Sequence, residues 1–159
     1  MAFNLNYKNK FEIDTKGNLD PNQIDGATFE PLAAGISSVT PSPGDTTDNT
    51  AYYDGDGFAN TDVTGKNFSI AFSGNRVEGD AAQDYVASKE FAIGDDVKTL
   101  LRWTKSDGTV LVAQITMSAI TTSGGNANAK QTFSFTANIN GLPIVTAPTG
   151  SGTTETTGA

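Results

Sequence analysis

The segment at residues 131–140 reads Q-T-F-S-F-T-A-N-I-N and leaves little choice of conformation. Phe133, Phe135, Ala137 and Ile139 alternate with Thr132, Ser134, Thr136, Asn138 and Asn140. A period of two gathers the apolar side chains on one face of an extended strand, whereas a helix would scatter them around its axis. The alternation recurs at residues 66–74, where Phe68, Ile70 and Phe72 point one way and Asn67, Ser69, Ala71 and Ser73 the other, until Gly74-Asn75 closes the strand. A third set, Leu111, Ala113, Ile115, Met117 and Ala119, belongs to a hairpin. Residues 97–105 turn through Ser106-Asp107-Gly108 into residues 109–120, and Asp-Gly is a strong turn signal.

The remaining elements are fewer. Residues 29–40 read as a first strand, ended by Pro41-Ser42-Pro43-Gly44 because proline cannot donate to a ladder. Residues 142–146 add a short last strand after Asn140-Gly141. Residues 80–92 are the one helix. Asp80 is placed to cap it and Gln83 stands in the capping-box position. Ala82, Tyr85, Val86 and Lys89 share a face, and Gly94 lies just past the end. The expected fold is mainly β: a two-sheet β-sandwich or flattened barrel with one short flanking helix. Its core candidates are Phe68, Ile70, Phe72, Trp103, Leu111, Ile115, Phe133, Phe135 and Ile139.

A length of 159 residues suits one domain. Residues 1–28 form an N-terminal arm with turns at Asp20-Pro21-Asn22 and Asp25-Gly26 and at most a short strand near 11–14. Phe3, Leu5, Tyr7 and Phe11 give that arm something to dock with. Residues 29–146 form the β domain, carrying an extended loop at 41–62 with Asp45, Asp48, Asp54, Asp56 and Asp62, no Lys or Arg, and the aromatics Tyr52, Tyr53 and Phe58. A long loop of this kind inside a compact domain is usually functional or disordered, and its aromatics argue against simple disorder. Residues 147–159, rich in Thr and Gly, are expected to be a flexible tail.

The chain has no Cys and no His. Disulfides, thiol nucleophiles, His-based triads and the usual zinc or copper ligand sets are therefore unavailable. The net charge of −8 argues against tight binding to a nucleic-acid backbone, which needs a basic face. No apolar run is long enough for a membrane-spanning helix. The first residues lack the pattern of a signal peptide, so synthesis and assembly in a cytoplasm is expected.

Four local patterns carry no chemistry on inspection. Asp54-Gly55-Asp56-Gly57 resembles a calcium loop, but no glutamate lies between Glu30 and Glu78 to complete it. Asp80, Asp84 and Glu90 fit a helix cap and a solvated face better than a carboxylate pair. The run from Gly124 to Lys130 lacks the Gly-Lys-Ser/Thr ending of a phosphate loop and leads into a strand. Lys98, Arg102 and Lys105 near Trp103 suggest an aromatic–basic strip, but Lys98 and Arg102 have the opposite strand parity to Trp103, which weakens it, and Trp103 reads as core. No catalytic residue, cofactor or metal site is expected. The polar faces at 67–73 and 132–140 carry Ser, Thr and Asn with almost no charge. That suits a surface buried against copies of itself or lining a hydrated channel better than an ordinary exposed sheet.

An ordered series of short stretches resembles one family. Ala51-Tyr52-Tyr53-Asp54-Gly55-Asp56-Gly57-Phe58, Val63-Thr64-Gly65-Lys66, Phe72-Ser73-Gly74-Asn75-Arg76-Val77, Gly79-Asp80-Ala81-Ala82-Gln83-Asp84, Leu101-Arg102-Trp103-Thr104 and Asn128-Ala129-Lys130 are similar, in order and spacing, to the major tail (tail tube) proteins of long-tailed, non-contractile phages of Gram-positive bacteria. The resemblance implies subunits that form hexameric rings stacked into a tube for DNA delivery, with an electronegative lumen. It implies tape-measure and tail-end or baseplate proteins as partners, DNA passing without specific binding, and a place in the virion. By position the loop at 41–62 would reach the next ring. Contact candidates are then Phe3, Leu5, Tyr7, Asp45, Asp48, Tyr52, Tyr53, Asp54, Asp56 and Phe58. The alternative expectation is a β-sandwich module that binds carbohydrate or a receptor.

Overall fold

The computed structural model describes residues 2–148. The tail beyond 148 lies outside the described residues. Seven strands, β1 (Lys10–Asp14), β2 (Phe29–Pro31), β3 (Ile36–Asp48), β4 (Asp62–Asn75), β5 (Lys98–Thr104), β6 (Val110–Thr121) and β7 (Thr132–Thr146), build one antiparallel sheet in the order β2-β1-β5-β6-β7-β4-β3. One helix, α1 (Ala81–Ser88), follows β4. The fold is mainly β, as the alternation requires.

The sheet is continuous, and it serves as both layers by curling. β1 and β4 are four strand positions apart, roughly 19 Å in a flat sheet. Yet the Phe11 ring in β1 meets the Phe72 ring in β4 edge-on at 5.2 Å, and Phe68 lies 6.4 Å from Trp103 of β5. The inward faces therefore pack on one another. Phe72 and Phe135 stack at 5.0 Å in the centre, with Ile13, Ile70, Leu101, Ile115 and Phe133 fully buried around them. Phe68, Trp103 and Ile139 pack partly buried at the margin, and Leu111 is buried outside the main cluster. A bulge in β6 between Ser118 and Thr121 puts Ala119 at φ +53°, ends the alternation, and leaves Ala119 exposed instead of on the Leu111–Met117 face.

Four boundaries differ from the sequence expectation, one being that the short last strand expected at 142–146 is the continuation of β7 through Asn140-Gly141. The N-terminal segment is not a peripheral arm throughout. β1 is an interior strand between β2 and β5, and Phe11 and Ile13 belong to the core, so the β domain begins at Lys10. The first strand does not stop at Pro41. β3 runs on to Asp48 and pairs with β4 from Ile36↔Gly74 to Asp48↔Asp62. β3 is the sheet's edge, and Pro41 and Pro43 share one parity. Both missing N–H groups thus fall on the open side, the position where a strand tolerates proline. The helix ends at Ser88, not at 92.

The cap is only half as expected. Asp80 accepts the Gln83 backbone N–H at 3.1 Å. The fully buried Gln83 side chain, however, does not reach back to Asp80. Its Oε1 accepts the Val77 N–H at 2.8 Å and its Nε2 donates to the carbonyls of Ala34 and Asn75. One amide thus ties α1 to the ends of β3 and β4. Beside it, Gly35 and Gly74 pass so closely that a Cβ on Gly74 would overlap the Gly35 carbonyl. Arg76 pairs with Asp84 at 2.7 Å, and this hydrogen bond holds the Asp84 carboxyl below the usual carboxylate range.

Residues 15–28 are organised by a buried carboxylate. Asp14 accepts the backbone N–H groups of Lys16, Asn18 and Thr28, each at 2.9 Å, and the Asn18 amide at 2.8 Å. Asp14→Ala would strand three amides without their acceptor. We expect it to lower stability by about 2–3 kcal/mol in urea unfolding, whereas Asp20→Ala, on the exposed part of the same segment, should be near neutral.

Candidate assembly surfaces

The β3–β4 hairpin outgrows the sheet that roots it. β4 pairs with β7 only from Ser69 to Asn75, so beyond Ser42↔Ser69 the hairpin is a free two-stranded arm. Thr46, Thr47, Val63 and Thr64 give it β-branched side chains that favour extension. Lys66 pairs with Asp45 across it at 3.1 Å. A two-stranded ribbon has no core of its own and is marginal in water unless something packs on it.

The tip, residues 49–61, is a structured turn. An isolated bridge joins Ala51 to Ala59, a 3₁₀ turn spans Tyr53–Gly55, and Asp56 and Gly57 take positive φ to reverse the chain. Thr50 donates to the Asp48 carboxylate and Thr61 to the Asn49 amide oxygen, each at 2.7 Å. Tyr53 is fully exposed and Phe58 is 80% exposed, with Tyr52 beside them and Asp54 and Asp56 between. Exposed rings grouped on a loop make the tip a candidate interaction site. Among the described residues, no cluster of three or more acidic side chains is arranged to hold a metal ion.

A second surface spans four strands. On the outer face the register aligns Thr40, Ala71, Thr136 and Ser118 in one row, and Ser42, Ser69, Asn138 and Thr116 in the next. On these four strands neither row carries a charged side chain; the second row continues in β5 to Lys98, which pairs with Asp95. Asn138 Nδ2 donates to Ser118 Oγ at 2.8 Å and Asn140 Nδ2 to Thr116 Oγ1 at 2.7 Å, so many of these groups already satisfy one another. The face offers hydrogen bonding without attraction or repulsion for ions.

All ten contact candidates from the sequence are exposed, but they do not form one site. Phe3, Leu5 and Tyr7 lie on the segment before β1, and Tyr7 borders a groove at the root of β3. Asp45, Asp48, Tyr52, Tyr53, Asp54, Asp56 and Phe58 lie on the distal arm and tip. Of the basic residues near Trp103, Lys105 lies over its ring, 4.8 Å from the centre, while the other two point away. Arg102 makes a two-pronged pair with Glu12 at 3.0 and 2.9 Å, Lys98 pairs with Asp95, and Trp103 stacks on Phe11. Sequence reasoning missed Phe91 and Ile93, 92% and 85% exposed just beyond α1, because it carried the helix through residue 92. The signal available was that the apolar helical face stops at Val86.

No protein family and no curated protein matches the chain in sequence. Solved structures do match. The fold is similar to a chain in the tail of an empty gene transfer agent (GTA) particle determined with helical refinement and C6 symmetry, with TM-score 0.70 and 15% identity over 92% of this chain and 100% of that one. It is similar also to a chain of the virion of a native GTA particle, with TM-score 0.65 and 16% identity over the same shares. The fold is therefore one shared with chains of GTA tail and virion structures.

Proposed function

We propose that this chain is a non-enzymatic virion structural protein that assembles with itself into stacked hexameric rings, forming the tail tube through which DNA is delivered. The observation that carries the proposal is the fold similarity, which takes in the whole of a chain from a C6-symmetric tail. The free arm with its exposed aromatic tip supports it, since such an arm needs a partner to cover it. The short sequence stretches resembling major tail proteins of long-tailed, non-contractile phages point the same way. In this reading the inter-ring contacts come from the tip and from the segment before β1. The neutral four-strand face is the surface past which DNA moves, with no cation on those four strands' rows to hold a phosphate, Lys98 at the end of the second row being paired with Asp95, and an acidic subunit around it. A tape-measure protein and tail-end proteins are the expected partners, with assembly in the host cytoplasm.

Negative-stain electron microscopy with size-exclusion chromatography tests the proposal. Concentrated protein, with or without the tail's initiator complex, should give six-fold rings or tubes. Monomers under all these conditions, or saturable binding to a glycan panel in their place, would overturn it.

A further inference from the structure

The sheet is continuous but not closed. Its two edge strands, β2 and β3, each present a row of backbone groups with no partner strand inside the subunit. Such a row is a template on which a second copy can add a strand. β3 is a long one, with thirteen residues and the β-branched Val39, Thr40, Thr46 and Thr47.

The open rows are nonetheless short of donors. The chain has six prolines, and four of them stand in strands: Pro31 in β2, Pro41 and Pro43 in β3, and Pro143 in β7. In β3 the residues turned away from β4 are Val39, Pro41, Pro43 and Asp45, which share one parity. Their carbonyls all point outward, but only Val39 and Asp45 have an N–H to offer. In β2 the Leu32 N–H donates to the Phe11 carbonyl at 2.8 Å, so Glu30 and Leu32 face β1 while Phe29 and Pro31 face out. Pro143 lies past the last pairing of β7 with β4, Ser69↔Asn138, where β7 too has a free side.

Packing does not account for these residues. Pro31, Pro41 and Pro43 are exposed, so their rings bury little. What they alter is the backbone, from which each removes a donor. Two copies of β3 meeting antiparallel about Ser42 would set Pro41 against Pro43. The central bonds of that ladder would have acceptors on both strands and no donor on either. Carbonyls taken from water without a partner are the costly case. Other features guard the rest of each edge. β2 is three residues long, β3 is irregular at Ile36/Ser38 and Thr46/Thr47, and Asp45 and Asp48 would bring like charges together. The free side of β4 on the arm, residues 62–68, is the contrast, since it holds no proline.

We infer that these prolines bar a second copy from extending the sheet, so that along β2, β3 and the far half of β7 copies touch only through side chains. This holds for any contact between copies there, in tubes or not. Pro41→Thr/Pro43→Thr in the full-length protein returns both donors. At a temperature where circular dichroism shows it folded, it should form thioflavin-T-positive fibres about tenfold faster than the parent or more. Ser38→Thr/Ser42→Thr raises strand propensity on the same strand without adding an outward donor, and it should behave like the parent. Because the chain has no cysteine, a second measurement reads the folded state directly. Ser42→Cys added to Pro41→Thr/Pro43→Thr should oxidise to a disulfide dimer about tenfold more readily than Ser42→Cys alone, and it decides the matter if the threonine variant melts below the parent. A Pro41→Thr/Pro43→Thr protein with neither excess fibres nor excess dimer overturns the inference, as does a Ser38→Thr/Ser42→Thr protein that forms fibres equally fast. Neither result bears on whether the parent forms tubes.

Discussion

Phe72→Ala should be among the most damaging single truncations in the chain, costing about 3–5 kcal/mol. Phe72 is 1% exposed and holds the two sides of the curl together. It stacks on Phe135 at 5.0 Å and meets Phe11 edge-on at 5.2 Å. Removing the ring loses its transfer free energy and opens a void. The surrounding strands cannot close that void without uncurling, because they are fixed by their ladders. A domain of this size has about 5–15 kcal/mol of stability in all, so the variant should melt about 10 °C or more below the parent. Circular dichroism on dilute, unassembled protein is the measurement, since assembly would itself raise the melting temperature by mass action. Phe58→Ala, at the tip, should leave the same melt unchanged. A Phe72→Ala variant that melts like the parent would mean that the rings do not meet across the curl.

The same residues show which parts of the fold could be read in advance. Phe133, Phe135, Ile70, Phe72 and Ile115 lie on strands long enough for alternation to be unmistakable, and all are buried. β1 is different: K-F-E-I-D is only five residues, too short to distinguish a docked terminus from a strand. It is interior because Phe11 pairs with Trp103, more than ninety positions away. Pro41 and Pro43 misled because the rule against proline concerns donors that face a partner, and only the strand order reveals that β3 has a free side. Gln83 followed a tertiary arrangement over a local one, since the Val77 N–H and the carbonyls of Ala34 and Asn75 converge where its amide can serve them all.

The assembly surfaces divide in the same way. Aspartates and aromatics crowded into 45–58 are a composition signal, and they mark the exposed arm and tip. The neutral face was visible strand by strand at 67–73 and 132–140, but its width depends on register, which adds Thr40, Ser42, Thr116 and Ser118 to it. The groove at the root of β3 had no local signal. Its floor and walls come from residues 6–11, 32–41 and 103, brought together only because the sheet curls and does not close.

Replacing residues 47–64 by a two-residue Asn-Gly turn, which keeps Thr46 opposite Gly65, should abolish assembly while leaving the subunit folded. The cut falls outside every pairing of β4 with β7, which begins at Ser69. It removes only the distal arm and tip, where Gly65 is the nearest position that is even half-buried apart from Gly55 within the turn itself. No core side chain is lost, and Asn-Gly closes a two-residue hairpin with the right twist. The melting temperature should therefore stay within a few degrees of the parent's, because surface changes away from packed features rarely exceed about 0.5 kcal/mol. Assembly should behave otherwise. Losing three exposed rings at the centre of a contact removes the kind of side chains that dominate interface energies, worth about 2 kcal/mol or more each, and rings or tubes should disappear at any accessible concentration. Light scattering and electron microscopy read that loss, and circular dichroism reads the fold. An unfolded product would mean that the arm belongs to the subunit's own structure. A folded product that still forms tubes would place the contacts elsewhere, with Phe91 and Ile93 beyond α1 the next surface to test.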